Sequence, residues 1–248
     1  MLKSVLRAKF ETYTPESTNM PFQVRLLGKD RLALFSFIHS LNTVFGTSIF
    51  EPVAKEIAEE HFKTVELQKI PETKISSEAQ RAIQDIVDNL AAGFARPDKI
   101  VEIAKIRGVC QAGEIKSVKK TRIDLSLEKE TGEMYFIDIK TANPNRSGFQ
   151  DYKRMLLDWV GITLFVKPDA VIRTLICIPY NPYEPKEYSR WTMVGMLDVK
   201  EELMVGREFW DFLGGNGTYE EVLNCFERVG IEMRDEIDEN FKKFQTTQ

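Results

Sequence analysis

The spacing of hydrophobic positions predicts helices in the first hundred residues. Between residues 31 and 45, apolar side chains recur near every 3.6 positions, and a similar pattern resumes over 49–62 after a break at 46–48. Ser76 or Ser77 is a favoured N-cap for a helix that runs to about residue 94. A short helix is expected over 96–106. The N-terminal third is therefore predicted to be mainly helical.

The pattern then changes to short β-type runs. Residues 121–127 and 134–140 flank Glu130-Thr131-Gly132, which is a hairpin signal, and 171–178 is typical of a buried central strand. Further helices are expected over 152–165, 199–213 and 219–244. This order predicts an α/β (α+β) fold in which a central mixed β-sheet is flanked by helices. We expect one domain, 1–248, made of a mainly helical part (1–107), a sheet core (108–197) and C-terminal helices (198–248).

Composition limits the class of protein. The 248 residues are 43% hydrophobic and 29% charged with a net charge of −4, which is ordinary for a soluble globular protein and excludes collagen-like, low-complexity and disulfide-rich scaffolds. The three cysteines form no C-x-x-C pair, and the two histidines have no cysteine nearby, so a zinc site of the usual spacing is not expected. No signal peptide and no run of eighteen apolar residues is evident. We expect a cytoplasmic protein.

Charge is unevenly distributed along the chain. Residues 99–197 carry 16 basic against 12 acidic side chains, whereas 198–248 carry 6 against 13. Within 105–122 there are six basic residues and one acid. A locally basic face on an acidic protein can bind a polyanion. An ordinary solvated basic loop explains the same charges.

The predicted hairpin contains the candidate catalytic residues. Residues 129–133 fit a three-residue loop with Gly132 in the left-handed conformation, so the numbers of each opposed pair sum to 262. Asp124 then lies opposite Asp138, with their Cβ atoms roughly 5 Å apart, and Lys140 shares that face. Opposed carboxylates repel, but a divalent cation between them relieves the repulsion, and oxygen ligands suit Mg²⁺. The alternative is a surface hairpin whose polar residues face water.

These residues resemble a known nuclease motif. Asp124 with Asp138-Ile139-Lys140 is similar to the active site of the PD-(D/E)xK nuclease superfamily. The wider context is similar to type II restriction endonucleases of the TdeIII kind over roughly residues 30 to 240. The segments that carry this similarity are 138–146, 151–154, 178–183, 205–210 and 213–215. One departure is that Ile123 stands where many members have a proline, although that proline is often missing.

The resemblance implies a restriction-endonuclease-like fold and assigns roles. Asp124 and Asp138 would be Mg²⁺ ligands, the carbonyl of Ile139 a further ligand, and Lys140 the catalytic lysine. Such enzymes often add a glutamate from an upstream helix, for which Glu51 is the first candidate and Glu56 the second. The alternative for either is a solvated acid that is favoured by the helix dipole.

Candidate DNA contacts follow the catalytic strand or lie in the aromatic and proline-rich loop over 180–190. Asparagine, arginine and lysine can reach phosphates or base edges. The candidates are Asn143, Asn145, Arg146, Lys153, Arg154, Lys186 and Arg190. An ordinary polar loop or exposed helix surface is the alternative for each.

The resulting hypothesis is a Mg²⁺-dependent type II restriction endonuclease. It would hydrolyse double-stranded DNA at a short palindromic site and leave 5′-phosphate ends. A two-fold homodimer would supply one active site for each strand, and a cognate DNA methyltransferase is expected in the same system. The alternatives are a structure-specific or repair nuclease of the same superfamily and a non-catalytic DNA-binding domain.

Overall fold

A computed structural model describes residues 1–14, 20–140, 148–188 and 191–245. The chain forms two compact units: Met1–Pro52 together with Gly217–Gln248, and Val53–Asn216. The assignment of a single domain stays a prediction.

The first unit is helical and has an aromatic core. Its helices are α1 (Leu2–Thr12), α2 (Pro21–Leu27), α3 (Lys29–Phe45), α11 (Thr218–Glu232) and α12 (Arg234–Gln245). The side chain of Phe37 is 1% exposed and packs against the rings of Phe10, Tyr13 and Phe241. The two ends of the chain therefore contribute to one core. The single helix predicted over 219–244 is two helices that meet at Met233.

The predicted break after residue 45 is absent. A π-helical turn (Gly46–Phe50) continues α3 into α4 (Glu51–Ala58). By length and composition alone, the resulting helical stretch Lys29–Ala58 could cross a membrane, which the sequence analysis did not anticipate. The core helix of a globular protein passes the same test, and Phe37 and Ile49 of this stretch are buried.

The second unit contains a five-stranded mixed sheet. Its strands in chain order are β1 (Thr64–Lys69), β4 (Ile123–Glu128), β5 (Met134–Ile139), β6 (Ile172–Ile178) and β7 (Leu203–Val205), and they are also adjacent in this order. The pairs β1–β4 and β4–β5 are antiparallel, whereas β5–β6 and β6–β7 are parallel. Between β1 and β4 in the chain, β2 (Lys74–Ser76) and β3 (Ile115–Ser117) pair separately. The predicted mixed sheet is confirmed.

Helices cover both faces of this sheet. On one face lie α5 (Ser77–Ala91), α6 (Lys99–Val109) and α7 (Phe149–Val166), and Trp159 of α7 contacts Phe136 of β5 edge-on. On the other face, Phe212 of α10 (Arg207–Gly214) packs against Tyr135, the neighbour of Phe136 in β5. Short helices α8 (Trp191–Val194) and α9 (Val199–Glu202) complete the unit.

The hydrophobic pattern of the sequence located the central strands and missed the outer ones. It predicted helices over the first hundred residues, where β1 and β2 lie, and one helix over 199–213, where the structure has α9, β7 and α10. β7 is only three residues long and is followed by Gly206, which has a φ of +56°. A strand this short carries no periodicity of its own, and its parallel pairing with β6 determines it.

Candidate active site

The hairpin between β4 and β5 forms as the sequence predicts. The N–H of Lys129 donates to the carbonyl of Glu133 at 2.9 Å, and Gly132 has a φ of +82°. The residue numbers of every recorded pair, for example Leu125 opposite Ile137, sum to 262. The register is confirmed, and it carries Asp124 opposite Asp138.

The two carboxylates are buried at the end of the paired strands. Asp124 is 8% exposed and Asp138 is 4% exposed. Oδ2 of Asp124 accepts a hydrogen bond of 2.9 Å from the main-chain N–H of Ile139, while Nε of Arg122 lies 4.0 Å from Oδ1. One oxygen of Asp124 therefore binds the main chain of the neighbouring strand, and the other lies near the positively charged guanidinium group of Arg122.

Lys140 extends the line of β5 beside Asp138. Its main-chain N–H donates to the carbonyl of Cys177 at 2.9 Å, which prolongs the pairing with β6. Its Nζ lies 2.7 Å from each carboxylate oxygen of Asp138 and hydrogen bonds to Oδ1. The buried Oδ2 of Asp138 is therefore ion-paired with Lys140, and among the described residues it accepts no well-aligned hydrogen bond. The same Nζ lies 5.3 Å from the ring centroid of Tyr152.

Burial and charge perturb this pair in a consistent way. Burial raises the pKa of Asp138 to about 6, the nearby charge of Asp124 adds to the rise, and Lys140 opposes it. Burial alone would lower the pKa of Lys140, but the carboxylate of Asp138 outweighs it and the net pKa is raised. Lys140 interacts with both acids and the exposed Arg122 lies 4.0 Å from Asp124, so the repulsion between the two carboxylates is partly compensated. A further cation would relieve it.

The donor set fits a hard divalent cation. Mg²⁺ is usually held in proteins by one or two carboxylates with waters completing its shell. Asp124 and Asp138 supply two buried carboxylates, and the main-chain N–H of Ile139 holds the first of them in place. Within the described ranges, no group of three or more histidine, cysteine or acidic side chains comes together. Two acids and open positions are the arrangement that Mg²⁺ accepts.

The helical glutamates differ in exposure. Glu51 begins α4 and is 3% exposed, within the helical unit, whereas Glu56 on the same helix is exposed. A role for Glu51 at the metal stays a prediction.

Lys153 does not lie where a DNA contact would. Its side chain is fully buried in α7, with Nζ 2.5 Å from Glu102 Oε2 and 2.6 Å from Glu202 Oε2. Glu202 also pairs with Lys99 at 2.6 Å. To reach a phosphate, this lysine would have to give up its ion pair with the buried Glu102 and leave the buried Glu202 with Lys99 alone. We therefore remove Lys153 from the candidate DNA contacts.

The other candidate DNA contacts are less constrained. Arg154 is half-buried and donates to the side-chain oxygen of Gln84, and Lys186 is exposed. Asn143, Asn145, Arg146 and Arg190 lie outside the described residues.

Two residues near the acids were not found by sequence reasoning. Gln68 of β1 is the one non-glycine residue with a positive φ, +56°, in the described part of the chain. The numbers of the β1–β4 pairs sum to 192, as in Leu67 opposite Leu125, so this register sets Gln68 opposite Asp124. Tyr152 was read as the start of a helix and as part of the segment 151–154 that carries the resemblance, without a role at the site. Gln68 and Tyr152 come near the acids through contacts between distant parts of the chain, and a single sequence carries no signal for such contacts.

Comparison with known proteins agrees with this geometry. The sequence model of the family described as "Type II restriction endonuclease, HinfI" matches residues 1–230. The chain is 25% identical over 223 residues to the type II restriction enzyme HgiCII of Herpetosiphon aurantiacus, covering 88% of this chain and 80% of that protein. It is 24% identical over 254 residues to the type II restriction enzyme MjaII of Methanocaldococcus jannaschii, covering 91% and 67%.

A third similar protein is the type II restriction enzyme HgiEI of Herpetosiphon aurantiacus, at 26% identity over 88% of this chain and 79% of that protein. The predicted resemblance to type II restriction endonucleases is confirmed, and the family model that matches bears the HinfI name. The chain belongs to the HinfI family of type II restriction endonucleases, which are site-specific deoxyribonucleases.

Proposed function

We propose that this restriction endonuclease cleaves double-stranded DNA with Mg²⁺ at the site formed by Asp124, Asp138 and Lys140, and leaves 5′-phosphate ends. The observation that carries the proposal is the opposed pair of buried carboxylates beside a lysine at the end of the same strand. Natural sheets avoid like charges placed directly opposite each other. A bound cation accounts for this arrangement, and a purely structural hairpin does not.

The residues of the chain would divide the chemistry as follows. Asp124, Asp138 and the carbonyl of Ile139 would hold the cation, and Glu51 remains a candidate ligand. When bound, Mg²⁺ supplies positive charge that neutralises the charge developing on the scissile phosphate. Lys140 would orient the attacking water and stabilise the same developing charge. The main-chain hydrogen bond from Ile139 keeps Asp124 in place.

A basic segment leads into the catalytic strand and supports DNA binding at this edge. Four exposed basic residues precede Asp124, and each can neutralise a phosphate. They are Lys116, Lys119, Lys120 and Arg122. We propose that these residues, with Arg154 and Lys186 and with Asn143, Asn145, Arg146 and Arg190, contact the duplex.

A homodimer is the assembly that we propose. Two strands of a palindromic site require two active sites, and a two-fold axis supplies both. The helical unit exposes large apolar side chains at Phe22, Leu26 and Phe35, which are 84%, 82% and 67% exposed and are available to a second subunit. The acidic C-terminal helices would lie away from DNA or between subunits. Cytoplasmic location and a cognate methyltransferase complete the proposal.

The test is cleavage of unmethylated plasmid and phage DNA by the purified protein, with Mg²⁺ or with EDTA. Discrete fragments that appear only with Mg²⁺ and carry 5′-phosphates are expected. The variant Asp138→Ala should abolish cleavage while keeping fold and DNA affinity. A Mg²⁺-dependent smear would indicate a nuclease without a defined site. No cleavage across several DNAs and metals, or an active Asp138→Ala variant, would overturn the assignment of the active site.

A further inference from the structure

The ring of Tyr152 lies beside the catalytic lysine. Nζ of Lys140 is 5.3 Å from the centroid of this ring, within the range of a cation–π interaction. Tyr152 stands in the first turns of α7, whereas Lys140 follows β5, so the contact joins the sheet to the helix that covers it.

The surroundings of Tyr152 hold its ring in this place. A Cβ added at Gly148 would lie 3.0 Å from Cζ and 3.2 Å from the hydroxyl oxygen of Tyr152, which is closer than such contacts normally are. Gly148 has an ordinary φ of −84°, so space for the ring and not backbone conformation favours glycine there. Phe149 packs edge-on against Tyr152 at 5.9 Å.

The next residue anchors the helix. Lys153 is fully buried and paired with Glu102 and Glu202, so α7 is fixed to α6 and α9 one residue after Tyr152. The position of the ring is therefore set by the fold and does not depend on Lys140.

Lys140 needs such a support because Asp138, its ion-pair partner, would also bind the metal ion. The Nζ of Lys140 lies 2.7 Å from both oxygens of Asp138. A divalent cation held by Asp138 competes for the same two oxygens and repels the ammonium group. The face of an aromatic ring attracts the ammonium and takes no part in that competition.

We propose that Tyr152 is a positioning residue, whose ring keeps the ammonium group of Lys140 at the active site when Asp138 binds the metal. This inference rests on the proposed function. It predicts that the aromatic face is essential and that the hydroxyl group is not.

Single-turnover cleavage with Mg²⁺ tests the proposal through Tyr152→Phe and Tyr152→Leu. We expect Tyr152→Phe to stay within about threefold of the wild-type rate, and Tyr152→Leu to lose about 5- to 30-fold, the range that one cation–π contact would give. In a separate steady-state assay, the KM for DNA should change less than twofold. Equal rates for wild type and Tyr152→Leu, or a loss that appears only in KM, would overturn the proposal.

A double-mutant cycle separates positioning from general packing. Gly148→Ala should slow cleavage in the wild type, because its methyl group displaces the ring, and should have little further effect in Tyr152→Leu. Thermal unfolding of all four proteins reports their stability. If Gly148→Ala and Tyr152→Leu slow cleavage independently, and each in proportion to its loss of melting temperature, the role of Tyr152 is structural and the proposal is contradicted.

A spectroscopic measurement in metal-free protein keeps the inference distinct from the proposed function. Lysine labelled with ¹³C at the ε position should give one ring-shifted signal, assigned by its loss in Lys140→Met, that is retained in Tyr152→Phe and lost in Tyr152→Leu. An unshifted signal in the wild type would overturn the positioning of Lys140. A shifted signal in a protein that cleaves no DNA would leave the contact standing and refute the proposed function alone.

Discussion

The carboxylate of Asp124 accepts a hydrogen bond of 2.9 Å from the main-chain N–H of Ile139. A group that we assign to the metal thus also satisfies a buried donor on the neighbouring strand, one residue beyond Asp138. The side chain has a structural and a chemical function, and substitutions can separate them.

Two substitutions at Asp124 should differ in stability and agree in activity. Asp124→Ala leaves the N–H of Ile139 buried without its acceptor, which costs about 1–3 kcal/mol in the free energy of unfolding. Asp124→Asn keeps an acceptor oxygen and should unfold within about 1 kcal/mol of the wild type, because an amide replaces the bond. Both should lose Mg²⁺-dependent cleavage. Urea unfolding and plasmid cleavage check this, and an active Asp124→Asn protein would contradict the proposed ligand role.

The buried cluster of Lys99, Glu102, Lys153 and Glu202 should be a strong determinant of stability. Lys153→Met leaves two buried carboxylates without their shared partner, and removal of one partner of a buried pair costs about 3–5 kcal/mol. Exposed Lys200→Met is the matched control and should change stability by less than about 0.5 kcal/mol. Urea unfolding measures both.

The same variants test whether Lys153 contacts DNA. Adding Glu102→Gln to Lys153→Met should recover part of the lost stability, since one uncompensated charge disappears. Weakened DNA binding by Lys153→Met with unchanged unfolding would instead restore the contact that the sequence predicted.

Asp158 on α7 should make stability depend on pH. Burial raises its pKa to about 6, opposed by the charge of Arg154, against an ordinary value of 3.8. The folded state therefore binds this proton more tightly than the unfolded state, and its contribution to stability falls as pH rises from about 4 to about 6. Asp158→Asn should raise the free energy of unfolding at pH 7.5 by up to about 3 kcal/mol and have little effect below pH 4.

Exposed Asp85→Asn, on α5, is the control for Asp158→Asn. Thermal unfolding from pH 4 to pH 8 gives the comparison. If Asp158→Asn stabilises the protein equally at pH 4 and at pH 8, titration of the carboxyl group is not the cause of the stabilisation.

Substitution by glycine should destabilise the protein less at Gln68 than at Glu66, two residues earlier in β1. A left-handed conformation costs a non-glycine residue about 1–2 kcal/mol, which glycine avoids, while glycine in a strand loses about 0.5–1 kcal/mol through entropy. Glu66→Gly, at an ordinary φ in the same strand, incurs the entropic cost and loses an exposed ion pair with Lys69, which contributes little. Gln68→Gly should therefore be the more stable of the two variants by about 1 kcal/mol in chemical unfolding. The reverse order would show that the side chain of Gln68 contributes more than its backbone costs.

The sequence predicted the centre of the site because the centre is built locally. Gly132 permits one three-residue loop, and this loop sets the register that brings Asp124 opposite Asp138. No information from distant residues is needed for that step. The alternation and composition of β4, β5 and β6 supported the same result.

The residues around the centre could not be predicted in this way. Lys153 reads as an exposed basic residue after a loop, and only its partners Glu102 and Glu202, each about fifty positions away, show that it is buried. Gln68 approaches the acids through the antiparallel pairing of β1 with β4, which no local pattern specifies. Long-range pairing decided both positions.

The order of strands has a consequence for folding kinetics. Asp124 and Asp138 are fourteen positions apart, whereas β1 reaches β4 across 64 positions, from Thr64 to Glu128, and β6 reaches β5 across 38, from Met134 to Ile172. Because short loops close at a lower entropic cost, the hairpin forms before the outer strands join it. The two acids therefore repel each other already in the transition state for folding, and neutralising one of them should accelerate folding more than it slows unfolding.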